Sequence, residues 1–272
     1  MVLIGLTNKE TSHKVLLQKK TSRLRHELAR GDLKSCYDDS NQRSRKRVLL
    51  TSLIRPLRML VLSLVFFLSL YIAFAFGVVY LLYTTIPAVF EETYGFDPST
   101  SGLVYLSLGV GNVLGWVVVT FFSDRSVIRQ AQANEGVFVP EMRLTIGIYF
   151  GLFLPIMLFW YGWSSFYATH WVWPVVCLVP YGFGIMGLFL SVTTYLVDGY
   201  PMYAASAIAA NVVLRNVVGA ILPLAGPPMY ASLGLGWGNS LLGFICVAVV
   251  PLPVVFYKFG ARLRKAESLK SY

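Results

Sequence analysis

The chain is 272 residues long, 56% hydrophobic and only 13% charged, with a mean hydropathy of +0.63. That composition leaves too little polar surface for a water-soluble globule and places the protein in lipid. The net charge of +10 does not indicate nucleic acid, because fourteen Lys or Arg against five acids crowd the first 58 residues, beside a membrane segment.

Residues 1–57 read as a basic cytosolic lead-in that ends in Ser44-Arg45-Lys46-Arg47 and Arg55-Pro56-Leu57-Arg58. Within it Val15, Leu17, Leu24 and Leu28 fall near helical spacing among Lys19, Lys20, Arg23 and Arg25. That pattern suits either a basic helix on anionic headgroups or a solvated helix. No short apolar run with a small-residue cleavage site precedes it, so the first span is expected to serve as the insertion signal.

From there the chain is nearly bare of charge over 59–90, 98–123, 144–197 and 199–257, the last broken only by Arg215. About 20 apolar residues make one helical crossing of a ~30 Å hydrocarbon core, so these lengths predict one, one, two and two crossings. The expectation is an all-α integral membrane protein with six transmembrane helices in a bundle over 58–258. The spans are placed at about 59–83, 101–122, 144–163, 171–197, 204–230 and 238–257, ahead of a basic tail at 259–272.

Twenty-two of the 23 basic residues then lie on one side, in the first 58 residues, the 123–143 loop and residues 258–272. The positive-inside rule puts both termini and that loop in the cytosol, with Trp160, Tyr161, Trp163, Trp171 and Trp173 at the opposite interface.

Chemistry-bearing motifs are sparse. Gly182-Phe183-Gly184-Ile185-Met186-Gly187 matches the dinucleotide fingerprint, but it sits inside an apolar helix instead of between a strand and a helix, so close helix packing is the better reading. Gly111 to Gly115 and Gly147 to Gly151 are further small-residue pairs of that kind. Cys36, Cys177 and Cys246 support no disulfide framework, and His13, His26 and His170 lack metal-ligand spacing. No enzyme, cofactor or metal is expected.

Intramembrane polarity is the informative remainder, because a buried ionisable group usually faces a cavity or a partner. With the fifth span starting at Ala204, Arg215 lies about 16 Å deep at 1.5 Å per residue, and Asn211 sits one turn before it on the same face. Arg215 lines a solute path or snorkels to the cytosol; Asp198 is its partner by charge or an interfacial acid in its own right. Tyr71, Tyr80, Asn112 and Tyr181 supply further polar groups at membrane depth, suited to an amphipathic organic solute. Phe76-Gly77 followed by Thr84-Thr85, and Phe183-Gly184 followed by Thr193-Thr194, form a faint echo that predicts a 3+3 repeat of helices.

The run Tyr195-Leu196-Val197-Asp198-Gly199-Tyr200, then Ala204-Ala205-Ser206-Ala207, Asn211, Arg215 and Gly219-Ala220-Ile221-Leu222-Pro223-Leu224, resembles the tenth and eleventh helices of fungal drug:proton antiporters of the major facilitator superfamily. Arg55-Pro56-Leu57, Phe90-Glu91-Glu92-Thr93-Tyr94-Gly95-Phe96, Pro140-Glu141-Met142-Arg143-Leu144 and Gly236-Trp237-Gly238-Asn239 fit the same pattern. Ser123-Asp124-Arg125 is similar to the family's cytosolic gate signature, with Thr120 where its glycine is expected. The resemblance implies the C-terminal six-helix half of such a multidrug-type transporter, an inverted repeat, with the first bundle missing.

It also implies proton-coupled efflux of small organic molecules across the plasma membrane, by this half paired with itself or with a second six-helix half. Arg215, Asn211, Tyr71, Tyr80, Asn112 and Tyr181 are the expected substrate-path residues, and Asp124, Arg125 and Asp198 the cytosolic gate. The alternative is a non-transporting fragment or interaction subunit of a full-length transporter.

Overall fold

The computed structural model describes residues 13–28 and 54–270, with side chains to residue 260, in two units divided after Thr51. In the first unit α1 (His13–Glu27) is a helix with Lys19, Lys20 and Arg23 exposed; Arg23 Nε donates to Glu27 Oε1 at 2.8 Å, one turn on. The rest of the expected lead-in, apart from its last residues at 54–57, lies outside the described residues.

The second unit is all helical. It comprises α2 (Ser63–Tyr94), α3 (Tyr105–Ala133), α4 (Leu144–Phe166), α5 (Val172–Gly199), α6 (Ala204–Val249) and α7 (Pro251–Lys270), with short helical turns between them. Among the described residues five stretches are long and apolar enough to cross a membrane: Ser63–Tyr94, Pro98–Ala133, Pro140–Phe166, Val172–Gly199 and Ala204–Gly260. A multi-pass integral membrane protein follows from their length and composition.

The expectation of six separate helices is corrected to five. The predicted fifth and sixth spans are the two helical arms of α6, continued by α7, with no loop between them, because residues 231–237 carry no charge and leave helical geometry only at Gly234. There φ is 71° and ψ 170°, a conformation open mainly to glycine, and it kinks the rod. The loop sought from polarity is reduced to one backbone position. Five helices do not divide into the expected 3+3 repeat, and the residues of the echo play unrelated parts. Thr84 and Thr85 both donate to the Leu81 carbonyl, whereas Thr194 donates to Leu190 and Ser191.

Within α2, Pro87 lacks the N–H that would bond the carbonyl of Tyr83. Tyr105 Oη donates to that freed carbonyl at 2.6 Å, so the first turn of α3 repairs the break in α2. α2 ends at Gly95, whose left-handed φ of 67° lets its own N–H and that of Phe96 return to the carbonyls of Glu91 and Phe90.

Packing pairs α2 with α6, α3 with α5, and α4 with both α5 and α6. The α3–α5 crossing depends on Gly111 and Gly182: a Cβ on Gly182 would lie 2.5 Å from the Leu108 carbonyl oxygen and 3.3 Å from the Gly111 Cα. Gly187 is filled by the Phe150 ring of α4. The glycines of the fingerprint-like motif therefore serve helix packing. Leu64, Leu68, Ile72, Leu108, Leu188 and Leu196 belong to the shared core, whereas Leu106, Val113, Phe121, Ile156 and Leu224 point outward. Outward leucines and phenylalanines cost nothing in contact with lipid.

Candidate functional site

Asn211 and Arg215 lie one turn apart on α6, on the same face, because residues at i and i+4 are neighbours on a helix. The Arg215 guanidinium carbon is 4.8 Å from the centroid of Phe76 on α2 and 5.3 Å from that of Phe189 on α5. The two rings meet edge to face, with centroids 5.3 Å apart at 71°. Three helices thus converge on one cation near the middle of α2.

A guanidinium in apolar surroundings costs about 3 kcal/mol on insertion scales, and a desolvated cation–π contact returns about 1–2 kcal/mol, so two such contacts offset much of the cost. They supply no oxygen acceptor. Arg215 Nε is buried and has no hydrogen-bond partner among the described residues. Asn211 is only 3% exposed, and its Oδ1 is likewise unpartnered there. A buried polar atom left unpaired costs about 1–3 kcal/mol, which makes this pair an expensive feature to keep in a packing role alone.

The other expected path residues divide. Tyr80 stands beside the pair, its ring packed against Gly219, one turn beyond Arg215. Tyr181 is fully buried, and its hydroxyl reaches the Ala75 carbonyl at 3.4 Å, next to Phe76. Tyr71 is buried with its hydroxyl against Gly151 of α4, and Asn112 is half-buried at the Gly182 crossing. These two belong to helix contacts removed from the α2–α5–α6 junction.

Asp198 is engaged elsewhere. Arg143, at the entry to α4, donates from Nε to Asp198 Oδ2 at 3.0 Å and from Nη1 to Asp124 Oδ1 at 2.7 Å, with Ser123 Oγ at 3.4 Å. The charge-based pairing of Asp198 with Arg215 is not formed, because an arginine from the 123–143 loop lies closer to the end of α5. Arg125 is exposed beside Asp124. Sequence reasoning named Arg143 only within the match at 140–144 and Phe76 only within the repeat echo, and it did not single out Phe189; the only signal was that Arg215 needed some partner.

At the far end of α2 a cleft of about 420 Å³ is lined by Thr84, Thr85, Glu92, Thr93, Pro227 and Tyr230, among others. Tyr230 Oη donates to Asn239 Oδ1 at 3.0 Å, joining the two arms of α6 across Gly234. Trp163 meets Trp237 at 5.7 Å and Trp160 meets Trp173 at 6.2 Å, an aromatic cluster of the kind expected at an interface, although Tyr161 turns inward and is 2% exposed. Cys177 and Cys246 are buried and free, and no group of three metal-ligating side chains exists among the described residues.

Membrane-length apolar helices, three of which meet at Arg215, define a multi-pass helical membrane protein. The chain belongs to the Major Facilitator Superfamily, whose family model matches residues 10–223. That family consists of carriers, not enzymes. Similar proteins include the MFS-type transporter atr4 of Stereocaulon alpinum, 46% identical over 259 residues that make up 95% of this chain and 46% of the relative. The MFS-type transporter penM of Penicillium rubens is 46% identical over 94% of this chain and 50% of its own length. The MFS transporter prlG of a fungal species is 46% identical over 94% of this chain and 54% of its own length.

The chain spans about half the length of the curated relatives it matches. No solved structure matches it. The expectation of a C-terminal six-helix half of a drug:proton antiporter is corrected on two counts. The alignment with these transporters runs over nearly the whole chain, with the family match beginning at residue 10, and the described residues hold five membrane-length helical stretches instead of six.

Proposed function

We propose that this chain works in the transmembrane transport of small organic molecules, with Arg215 and Asn211 in the solute path. The observation that carries this reading is the mostly buried, unpaired Nε of Arg215, held by Phe76 and Phe189 where α2, α5 and α6 meet. A carrier needs a site that binds reversibly, and polar groups left open inside a packed bundle supply one.

Tyr80 forms one wall of that path and Tyr181 braces it through Ala75, next to Phe76, while Tyr71 and Asn112 act from helix contacts away from the junction. Arg143, Asp124, Arg125 and Asp198 form the cytosolic gate. In this reading both termini face the cytosol, as the distribution of basic residues favours, the membrane is the plasma membrane, and outward movement is coupled to protons.

The test is flux in proteoliposomes holding the purified chain, under an imposed pH gradient, over a panel of acidic, neutral and basic organic solutes. Uptake or release of at least one solute, collapsed by a protonophore and reduced about tenfold or more by Arg215→Gln, is the expected result. No flux of any solute from correctly folded protein overturns it.

A further inference from the structure

The two unpartnered groups where α2, α5 and α6 meet have complementary demands. Arg215 Nε–H is a donor that requires an acceptor, and Asn211 Oδ1 is an acceptor that requires a donor. They sit one helical turn apart, close enough for a single small group to meet both. The rings of Phe76 and Phe189 hold the guanidinium without using its hydrogen-bonding capacity on an oxygen, and Tyr80 adds a third ring on the same side of α2.

We infer that this site takes an organic molecule bearing a carboxyl group on a flat apolar body; the inference rests on the carrier reading above. In its neutral form a carboxyl group accepts from Arg215 with one oxygen and donates to Asn211 Oδ1 with the other. In its ionised form it only accepts, and the Asn211 amide, rotated by 180°, donates from Nδ2 instead. The guanidinium matches the planar carboxyl edge, which an ammonium would not.

Other anions fit less well. A monatomic anion satisfies Arg215 and leaves Asn211 unpaired. A phosphate offers accepting oxygens around a strongly hydrated centre and would surrender that hydration beside two phenyl rings. An organic cation meets Arg215 with like charge. A flat apolar body behind the carboxyl group continues the stacking that Phe76 and Phe189 begin.

The test is binding of 1-naphthoic acid to the full chain in lipid nanodiscs, by titration calorimetry, with methyl 1-naphthoate and 1-naphthylmethylamine as comparison probes. The acid is expected to bind at least tenfold more tightly than the ester, and the amine to show no saturable binding. Arg215→Gln should abolish the preference for acid over ester. Arg215→Lys, which keeps the charge and loses the planar fork, should retain part of the preference, and Asn211→Leu should weaken acid binding severalfold. Thermal unfolding of each unliganded variant separates lost binding from lost fold.

Equal affinity for acid and ester, or an undiminished preference in Arg215→Lys together with Asn211→Leu, overturns the inference. Measured flux of neutral or basic solutes with no binding of the acid overturns it while leaving the carrier reading intact. Binding of the acid with the expected variant pattern, but no flux of any solute, upholds the site and overturns the carrier reading.

Discussion

Arg143 donates to Asp198 at 3.0 Å while the same guanidinium reaches Asp124 at 2.7 Å, so one side chain ties the entry of α4 to the end of α5 and to the last third of α3. The Asp198 side chain is 28% exposed and that of Asp124 is 72% exposed. Solvent screens the second pair more than the first, and exposed pairs contribute about 0–1 kcal/mol. Asp198→Ala is therefore expected to destabilise the protein by about 1–2 kcal/mol and Asp124→Ala by less than about 1 kcal/mol. Thermal unfolding in detergent gives the order, and a larger loss from Asp124→Ala would contradict this account.

Tyr105 and Pro87 provide a coupled test. Tyr105→Phe removes the donor to the Tyr83 carbonyl and should cost about 1 kcal/mol, the usual scale for an interhelical hydrogen bond in a membrane protein. In a Pro87→Ala background residue 87 regains its N–H and can bond that carbonyl within the helix. The cost of Tyr105→Phe should then fall toward zero. A double-mutant cycle by unfolding in detergent measures the coupling, and additive losses would show that the hydroxyl does not serve the carbonyl freed by proline.

At the α3–α5 crossing there is no room for a side chain. Gly182→Val is expected to cost about 3 kcal/mol or more, since its Cβ meets the backbone of Leu108, Asn112 and Gly111 instead of a yielding side-chain tip. Gly109, on the same helix as Gly111, has nothing within 4 Å of its would-be Cβ, and Gly109→Ala should be neutral or stabilising by a few tenths of a kcal/mol. Yield of folded, monodisperse protein and its unfolding temperature read out both.

Gly234 carries the kink of α6 at φ 71°, and Tyr230 holds the two arms through Asn239. Gly234→Ala should cost about 1–3 kcal/mol through backbone strain alone, because its Cβ would touch only the edge of the Phe166 ring, at 3.7 Å. Tyr230→Phe leaves the Asn239 oxygen without its donor and should cost about 1–2 kcal/mol. The loss should be greater for Gly234→Val than for Gly234→Ala, because a β-branched side chain is excluded still more strongly from this glycine-only φ/ψ region. Unfolding curves of the three variants decide it.

Residence in lipid and the presence of several membrane-length apolar helices were legible in the sequence, and Arg215 stood out there as the one cation inside such a run. Each is a property of one segment. The free energy of moving a run of residues into hydrocarbon is summed along that run, so Leu144 to Val197 announces its helices without reference to anything else. What was not legible between the predicted fifth and sixth spans was the form of the connection, because a single glycine at positive φ, Gly234, turns the chain there without any polar loop to mark it.

Tertiary structure alone decided the partners. Asp198 goes to Arg143 and Arg215 goes to Phe76 and Phe189, pairs joined across dozens to more than a hundred residues of chain. Coulombic and cation–π energies depend on distances of a few ångströms between atoms that only folding brings together. Charge in a sequence shows that a partner is needed, and only the packing of α2, α5 and α6 selects which one.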